Sequence, residues 1–131
     1  MGDLLREHRM LVVEDEMMVL ISIETMLAEL GCRSVTVAAT VRDALALIHS
    51  QVFDLAMLDI NLSGVKSYPV ADALVARGVP FLFSTGYTNE ATNADYPDRP
   101  ILNKPYPFRK LSAVLTALLA GAQGNAASAP H

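Results

Sequence analysis

Residues 55–59, Leu55-Ala-Met-Leu-Asp59, form a short run of apolar side chains that ends in an acid. A continuous apolar run of this length is typical of a strand that is buried on both faces. Similar runs at residues 10–13, 81–83 and 101–103, with a weaker one at 34–37, complete a set of five predicted strands. Strands of this kind occur mainly in parallel sheets covered by helices, so the runs indicate an α/β protein.

Segments with helical spacing of apolar residues separate the predicted strands and follow the last one. Pro69 fits the first turn of one such helix, and Gly78 marks its end. Residues 87–100 are polar and contain two prolines, so we expect only a short or irregular fourth helix there. The pair Met17 and Met18 is interpreted as packing on a helix face, with docking of a partner helix as the alternative. The alternation of strands and helices predicts a doubly wound parallel sheet with right-handed crossovers.

The chain has 131 residues, of which 52 % are apolar, and this is enough for one domain with a sizeable core. We expect an N-terminal extension at residues 1–8, the folded domain at 9–120, and a disordered tail at 121–131. No apolar stretch approaches the roughly 20 residues of a membrane span, and no signal peptide is apparent, so we expect a cytoplasmic protein. The net charge of −4, without a basic run, argues against nucleic-acid binding.

Acidic, hydroxyl and basic residues stand where the predicted strands end. Glu14 and Asp15 follow the first strand, and Asp59 ends the third. Thr85 follows the fourth strand, and Lys104 follows the fifth. Because the carboxyl ends of parallel strands share one edge of a sheet, where ligands bind in such folds, we expect these side chains to converge.

The converging residue types suit phosphoryl transfer. Three neighbouring carboxylates repel one another and need a cation, and their oxygens are ligands that Mg²⁺ prefers. The Lys104 ammonium would offset more negative charge, and the Thr85 hydroxyl would donate a hydrogen bond to an incoming oxygen. Asp59 could then attack phosphorus in line and form an acyl phosphate.

Each of these residues also has an ordinary interpretation when it is considered alone. The run from Glu14 to Glu16 could be the solvated first turn of a helix, where acids are favoured. Asp59 could be a turn residue or a helix cap. Thr85 could be a loop hydroxyl, and Lys104 could simply lead out of a strand.

Four segments, taken in order, resemble the motifs of the two-component receiver domain: Leu11-Val-Val-Glu-Asp-Glu16, Leu58-Asp-Ile-Asn-Leu-Ser-Gly64, Phe83-Ser-Thr-Gly-Tyr87 and Lys104-Pro105. The resemblance covers about residues 9–120. It implies a flavodoxin-like, doubly wound, five-stranded parallel sheet with the strand order 2-1-3-4-5. It also implies that Asp59 accepts a phosphoryl group.

The resemblance further implies a metal site and two contacts to the phosphoryl group. Asp15, Asp59 and the backbone carbonyl of Asn61 would bind Mg²⁺ directly, and Glu14 would act through a metal-bound water. Thr85 and Lys104, at the ends of the fourth and fifth strands, would each contact a phosphoryl oxygen.

Two positions depart from the family pattern. The switch aromatic of the family stands three residues before the lysine, and here that position is Ile101. The switch would then involve Thr85, with Tyr87 as the replacement for the missing aromatic. Ser63 occupies the place of a proline that is common four residues after the acceptor. The segment ending at Tyr87 resembles a subclass of alphaproteobacterial single-domain regulators with a Phe-Ala-Thr-Gly-aromatic motif.

The resemblance implies a stand-alone response regulator. A sensor histidine kinase or a histidine phosphotransfer protein would be the donor, and output would pass through a protein partner or a phosphorelay. The domain would catalyse its own phosphorylation and dephosphorylation without otherwise being an enzyme, and it could form a homodimer. Two alternatives stay open: an interaction module that is never phosphorylated, and a small phosphotransfer enzyme.

Overall fold

The central sheet of the protein has five parallel strands. The computed structural model describes residues 3–86, 96 and 98–128, with side chains described as far as residue 121. The described strands are β1 (Arg9–Val13), β2 (Ser34–Ala38), β3 (Leu55–Asp59), β4 (Asn61–Leu62), β5 (Val65–Lys66), β6 (Phe81–Thr85) and β7 (Ile101–Asn103). The order in the sheet is β2-β1-β3-β6-β7, while β4 and β5 form a separate hairpin. This confirms the predicted flavodoxin-like order 2-1-3-4-5, because β6 and β7 are the fourth and fifth strands of the main sheet.

Helices cover both faces of this sheet. The described helices are α1 (Met17–Glu29), α2 (Val41–Ser50), α3 (Tyr68–Ala76) and α4 (Phe108–Ser128). Thr40 caps α2, because its side-chain oxygen accepts a hydrogen bond from Asp43 N at 3.0 Å. Pro69 lies in the first turn of α3, and Gly78 follows that helix with a φ of 70°. The helix boundaries therefore follow the local capping chemistry that the sequence indicated.

Two hydrophobic cores lie on the two faces of the sheet. Successive residues of a strand point to opposite faces, so each central strand contributes to both cores. One core packs α2 and α3 against side chains that include Leu11, Leu58 and Phe83. The other packs α1 and α4 against side chains that include Val12 and Met57. This explains why the central strands are apolar along their whole length.

Residues 61–67, which follow the strand that ends at Asp59, contain the hairpin of β4 and β5. Asn61 pairs with Lys66, and Leu62 pairs with Val65 in antiparallel orientation. The hairpin projects from the end of β3, next to Asp59. The residues on either side of the two-residue turn show no clear apolar alternation, so the sequence pattern did not predict the hairpin.

The segment predicted to precede the domain contributes to its core, and the last helix extends into the segment predicted to follow it. Leu5 is fully buried in the core that contains α1, and its N donates a hydrogen bond to Leu30 O at 2.9 Å. The predicted extension at 1–8 is thus partly a core segment. Helix α4 is described as far as Ser128, and the disordered tail at residues 121–131 stays a prediction.

Two further expectations concern helices. Met17 and Met18 are both exposed, so their interpretation as packing residues is wrong and the docking alternative remains. The predicted short or irregular fourth helix falls largely outside the described residues. No described helix is both long enough and apolar enough to cross a membrane.

Candidate functional site

The carboxyl ends of β1, β3 and β7 bring three acids and one base together. Glu14 and Asp15 follow β1, Asp59 is the last residue of β3, and Lys104 follows β7. One carboxylate oxygen from each of the three acids lies within 4.8 Å of the other two. The structure therefore shows the convergence that was expected from the strand ends.

Lys104 contacts two of the three carboxylates at once. Its Nζ lies 3.0 Å from Glu14 Oε1 and 3.1 Å from Asp59 Oδ2. Glu14 and Asp59 are buried, and the Lys104 side chain is largely enclosed. Water screens buried charges only weakly, so the Lys104 ammonium attracts both the Glu14 and the Asp59 carboxylate and holds them close to each other.

Burial and neighbouring charges change the pKa values within this cluster. Burial raises the pKa of Glu14 to about 7 against the hydrogen bond from Lys104, and the charge of Asp59 acts in the same direction as burial. Burial by itself would lower the pKa of Lys104. The hydrogen bond to Glu14 and the charge of Asp59 outweigh burial and raise that pKa above its usual value. Lys104 therefore stays protonated, while Glu14 can gain or lose a proton near neutral pH.

Asn61 and Thr85 both adjoin the cluster. Asn61 N donates a hydrogen bond to Asp59 Oδ1 at 3.2 Å, so the chain turns sharply after the acid. Thr85 is the last residue of β6 and is buried. Its carbonyl accepts a hydrogen bond from Lys104 N at 2.8 Å, which fixes the start of the lysine segment against β6. The Lys104–Pro105 peptide bond is cis.

The three residues considered for the switch have different placements. Thr85 lies at the edge of the site, as described above. Ile101 is half-buried, pairs with Phe83, and packs against the core beside α2 and α3. Tyr87 lies outside the described residues, so its role stays a prediction.

Two residues at the site were absent from the predicted set. Ser63 Oγ donates a hydrogen bond to Asp15 Oδ2 across the top of the cleft. Glu16 Oε1 lies 3.7 Å from Lys104 Nζ, and Glu16 N donates to Glu14 Oε2 at 3.1 Å. The Ser63-Gly64 dipeptide is itself a turn signal, and it could have indicated a tight hairpin beside Asp59.

The donor set of this cleft fits Mg²⁺. The cleft has a volume of about 410 Å³, and its lining residues include Asp15, Asp59, Asn61 and Ser63. When the three acids are ionised, they exceed the charge of the Lys104 ammonium by two. A divalent cation that prefers oxygen ligands and keeps several waters would balance this charge, and the cleft is large enough to hold those waters.

Residues 10–116 match the family of response regulator receiver domains. The chain is similar to the solution structure of SdrG from Sphingomonas melonis Fr1, with 40 % sequence identity and a TM-score of 0.77 over 86 % of this chain and 96 % of that chain. It is also similar to the BeF3-activated conformation of SdrG from Pseudomonas melonis Fr1, with 39 % identity and a TM-score of 0.74 over 91 % and 99 % of the two chains.

A third similar structure is the receiver domain of the sensor histidine kinase PA1611 from Pseudomonas aeruginosa PAO1. Its magnesium ion is coordinated in the active site cleft. The identity is 26 % and the TM-score 0.75, over 86 % of this chain and 98 % of that chain. No match was found among curated proteins.

Receiver domains bind Mg²⁺ at an acidic pocket and interact with histidine kinases or phosphotransfer proteins. They are not enzymes in the conventional sense. Glu14, Asp15 and Asp59 form an acidic cluster at the carboxyl edge of the central sheet. The family match covers most of the chain, and the chain therefore belongs to the response regulator receiver domains.

Proposed function

We propose that the chain accepts a phosphoryl group on Asp59. The observation that carries this proposal is the position of Lys104 Nζ, 3.1 Å from Asp59 Oδ2. Carboxylate oxygens of Glu14, Asp15 and Asp59 lie within 4.8 Å of one another at the same place. The cleft thus combines a nucleophilic carboxylate with an ammonium group and with acids that can bind a cation. These are the groups that stabilise the charge of a transferring phosphoryl group.

The acids and the turn after β3 would hold Mg²⁺. Asp15, Asp59 and the backbone carbonyl of Asn61 are the proposed direct ligands, and Glu14 is proposed to act through a metal-bound water. Mg²⁺ bound there supplies positive charge against the phosphoryl oxygens. Burial and, to a smaller degree, the charge of Asp59 raise the pKa of Glu14, and a cation in the pocket would favour the ionised form of this carboxylate.

In the proposed step, an Asp59 oxygen forms a bond to phosphorus while the bond from phosphorus to a histidine nitrogen of the donor breaks. The departing imidazole takes up a proton. Lys104 and Thr85 each contact one phosphoryl oxygen, and Lys104 moves from the Asp59 oxygen to do so. Hydrolysis of the resulting acyl phosphate by water would return the free carboxylate.

A histidine kinase or a histidine phosphotransfer protein is the proposed donor. An apolar groove of about 220 Å³ adjoins the site, and its lining residues include Met18, Met26, Lys104 and Pro105. The exposed side chain of Met17 adds apolar surface on the same helix. A partner that covers this groove would bring its histidine close to the cleft, because Lys104 borders both.

We propose that the phosphorylated chain acts as a single-domain regulator, which signals through a protein partner or passes the phosphoryl group along a phosphorelay. The segment Phe83-Ser-Thr-Gly-Tyr87 and the identity of 40 % with SdrG support its place in the alphaproteobacterial subclass. We also keep homodimerisation as an untested prediction.

The decisive experiment is treatment of the full chain with acetyl phosphate and Mg²⁺, followed by intact-protein mass spectrometry. We expect one phosphoryl adduct that is stable in acid and cleaved by hydroxylamine, as an acyl phosphate should be. Asp59→Asn should form none. Asp3→Asn is the matched control, because Asp3 is an exposed acid far from the cleft, and it should react like the wild type.

The other outcomes separate the alternatives. A folded wild-type chain that stays unmodified would favour an interaction module. Hydrolysis of a small phosphate ester that continues in Asp59→Asn would favour an enzyme with another nucleophile.

A further inference from the structure

The β4–β5 hairpin contacts two of the proposed metal ligands, which come from different strands. At its base, Asn61 N donates to Asp59 Oδ1, and Gly64 N donates to Asn61 Oδ1 at 2.6 Å. At its tip, Ser63 Oγ donates to Asp15 Oδ2. The hairpin is therefore a bridge between the end of β3 and the end of β1.

The tip of the hairpin has a backbone conformation that directs the Ser63 side chain. The φ angles are 52° at Ser63 and 91° at Gly64, and these two residues connect the paired residues Leu62 and Val65. A two-residue connection with positive φ at both positions matches the twist of a hairpin. Proline could not occupy position 63 in this turn, because its ring holds φ near −65°. A residue with a free φ is thus needed here, and serine also brings a hydroxyl.

Asp15 depends on this hydroxyl in a way that the other acids do not. Lys104 donates to Glu14 and Asp59, and neither of its hydrogen bonds reaches Asp15. Among the described side chains, which lie within residues 3–86, 96 and 98–121, Ser63 is the one that bonds to the Asp15 carboxylate. Asp15 is also less buried than Glu14, so packing restrains it less.

We propose that Ser63 is a positioning residue of the Mg²⁺ site, whose hydroxyl holds the Asp15 carboxylate toward Asp59 before the metal binds. This inference rests on the proposed function, in which both acids are ligands. A carboxylate has about four lone-pair sites, so one hydrogen bond at Oδ2 leaves sites free for a cation. Hydrogen bonds of this kind orient metal ligands, and their loss typically weakens metal binding roughly 10- to 100-fold.

The test compares Mg²⁺ affinity across variants of the full chain by isothermal titration calorimetry. Ser63→Gly removes the hydroxyl and keeps positive φ accessible, and we expect about a tenfold weaker affinity. Its thermal midpoint in EDTA should not fall, because glycine relieves the backbone constraint. A merely structural role for Ser63 would instead lower the midpoint and leave the affinity of the folded protein unchanged.

Two further variants complete the set. Val65→Ala changes an exposed side chain of the same hairpin and should keep the wild-type affinity. Ser63→Asn should recover much of the lost affinity, since asparagine tolerates positive φ and offers an amide donor to Asp15.

Equal or tighter Mg²⁺ binding by Ser63→Gly would overturn the role of Ser63 while leaving the phosphoacceptor proposal intact. An equal loss in Val65→Ala would also overturn it, because the effect would then belong to the hairpin as a whole. Absence of both Mg²⁺ binding and phosphorylation in the wild type would overturn the proposed function itself.

Discussion

The two ends of the central sheet each carry an ion pair, but the two pairs differ in burial and in charge balance. At the amino end, Arg9 Nε lies 2.9 Å from Asp54 Oδ2, and the two side chains are 52 % and 29 % exposed. At the carboxyl end, Lys104 is 13 % exposed, and its partners Glu14 and Asp59 are 1 % and 6 % exposed. One base meets one acid at the first end, whereas one base meets an excess of acids at the second.

This difference indicates that the two ends serve different purposes. The Arg9 backbone also donates to Asp54 at 2.7 Å, so the exposed pair joins the starts of β1 and β3. Such pairs add little to stability and need no further ligand. A buried cluster with excess negative charge is costly unless a cation enters. The carboxyl end is therefore arranged for binding at the expense of metal-free stability.

Replacing the base of each ion pair should produce the largest difference between the two ends of the sheet, in the rate of phosphorylation. Lys104→Met keeps a long apolar stem and removes the charge, and we expect phosphorylation by acetyl phosphate to slow by at least about 100-fold. Arg9→Met makes the same replacement at the other end and should leave the rate unchanged. Intact-protein mass spectrometry over time measures both. Similar rates in two folded variants would mean that Lys104 does not stabilise the transferring group.

A second contrast concerns stabilisation by metal. Mg²⁺ at 100 times its Kd should raise the free energy of unfolding by about 2.7 kcal/mol, since it binds only the folded chain. Asp15→Asn should lose most of this gain at the same Mg²⁺ concentration, whereas Asp54→Asn should keep it. Urea unfolding followed by circular dichroism, with Mg²⁺ and with EDTA, gives the values. A full gain in Asp15→Asn would contradict the ligand assignment.

A third contrast is in the pH dependence of metal-free stability. The pKa of Glu14 is raised from 4.5 to about 7, so the folded state binds more protons between these values and stability should fall as pH rises through this window. The hydrogen bond from Arg9 lowers the pKa of Asp54. Its contribution is present above pH 3.8 and should be lost as pH falls below it.

Urea unfolding in EDTA at several pH values separates these two effects. Glu14→Gln should remove the decline toward pH 7, and Arg9→Met should remove only the acid-side loss. If wild type and Glu14→Gln showed the same profile from pH 5 to pH 7.5, the raised pKa of Glu14 would be refuted.

Short local patterns account for what the sequence predicted well. Apolar runs such as 55–58 indicate a buried strand by themselves, and the parallel order follows from their alternation with helices. Once the strands are parallel, the residues that follow them must share an edge. This is why the sequence alone predicts that Glu14, Asp59 and Lys104 lie together.

Features that depend on three-dimensional packing were not predictable in the same way. Leu5 stands in a charged segment with no periodic pattern, and only the tertiary fold buries it. Helix α1 has apolar residues on more than one face, so its pattern could not show that Met17 and Met18 stay exposed. The contact of Ser63 with Asp15 requires two positive φ angles in a row, which the Ser-Gly dipeptide suggests but does not require.

The burial of Leu5 affects where the N-terminal boundary of an expressed fragment of this domain should be placed. The family match begins at residue 10, but a fragment trimmed to start there would remove a side chain from the cluster that holds Leu27 and Leu30. It would also leave the Leu30 carbonyl without the Leu5 amide. Boundaries for expression, tagging or fusion are therefore better set upstream of residue 3 than at the edge of the family match.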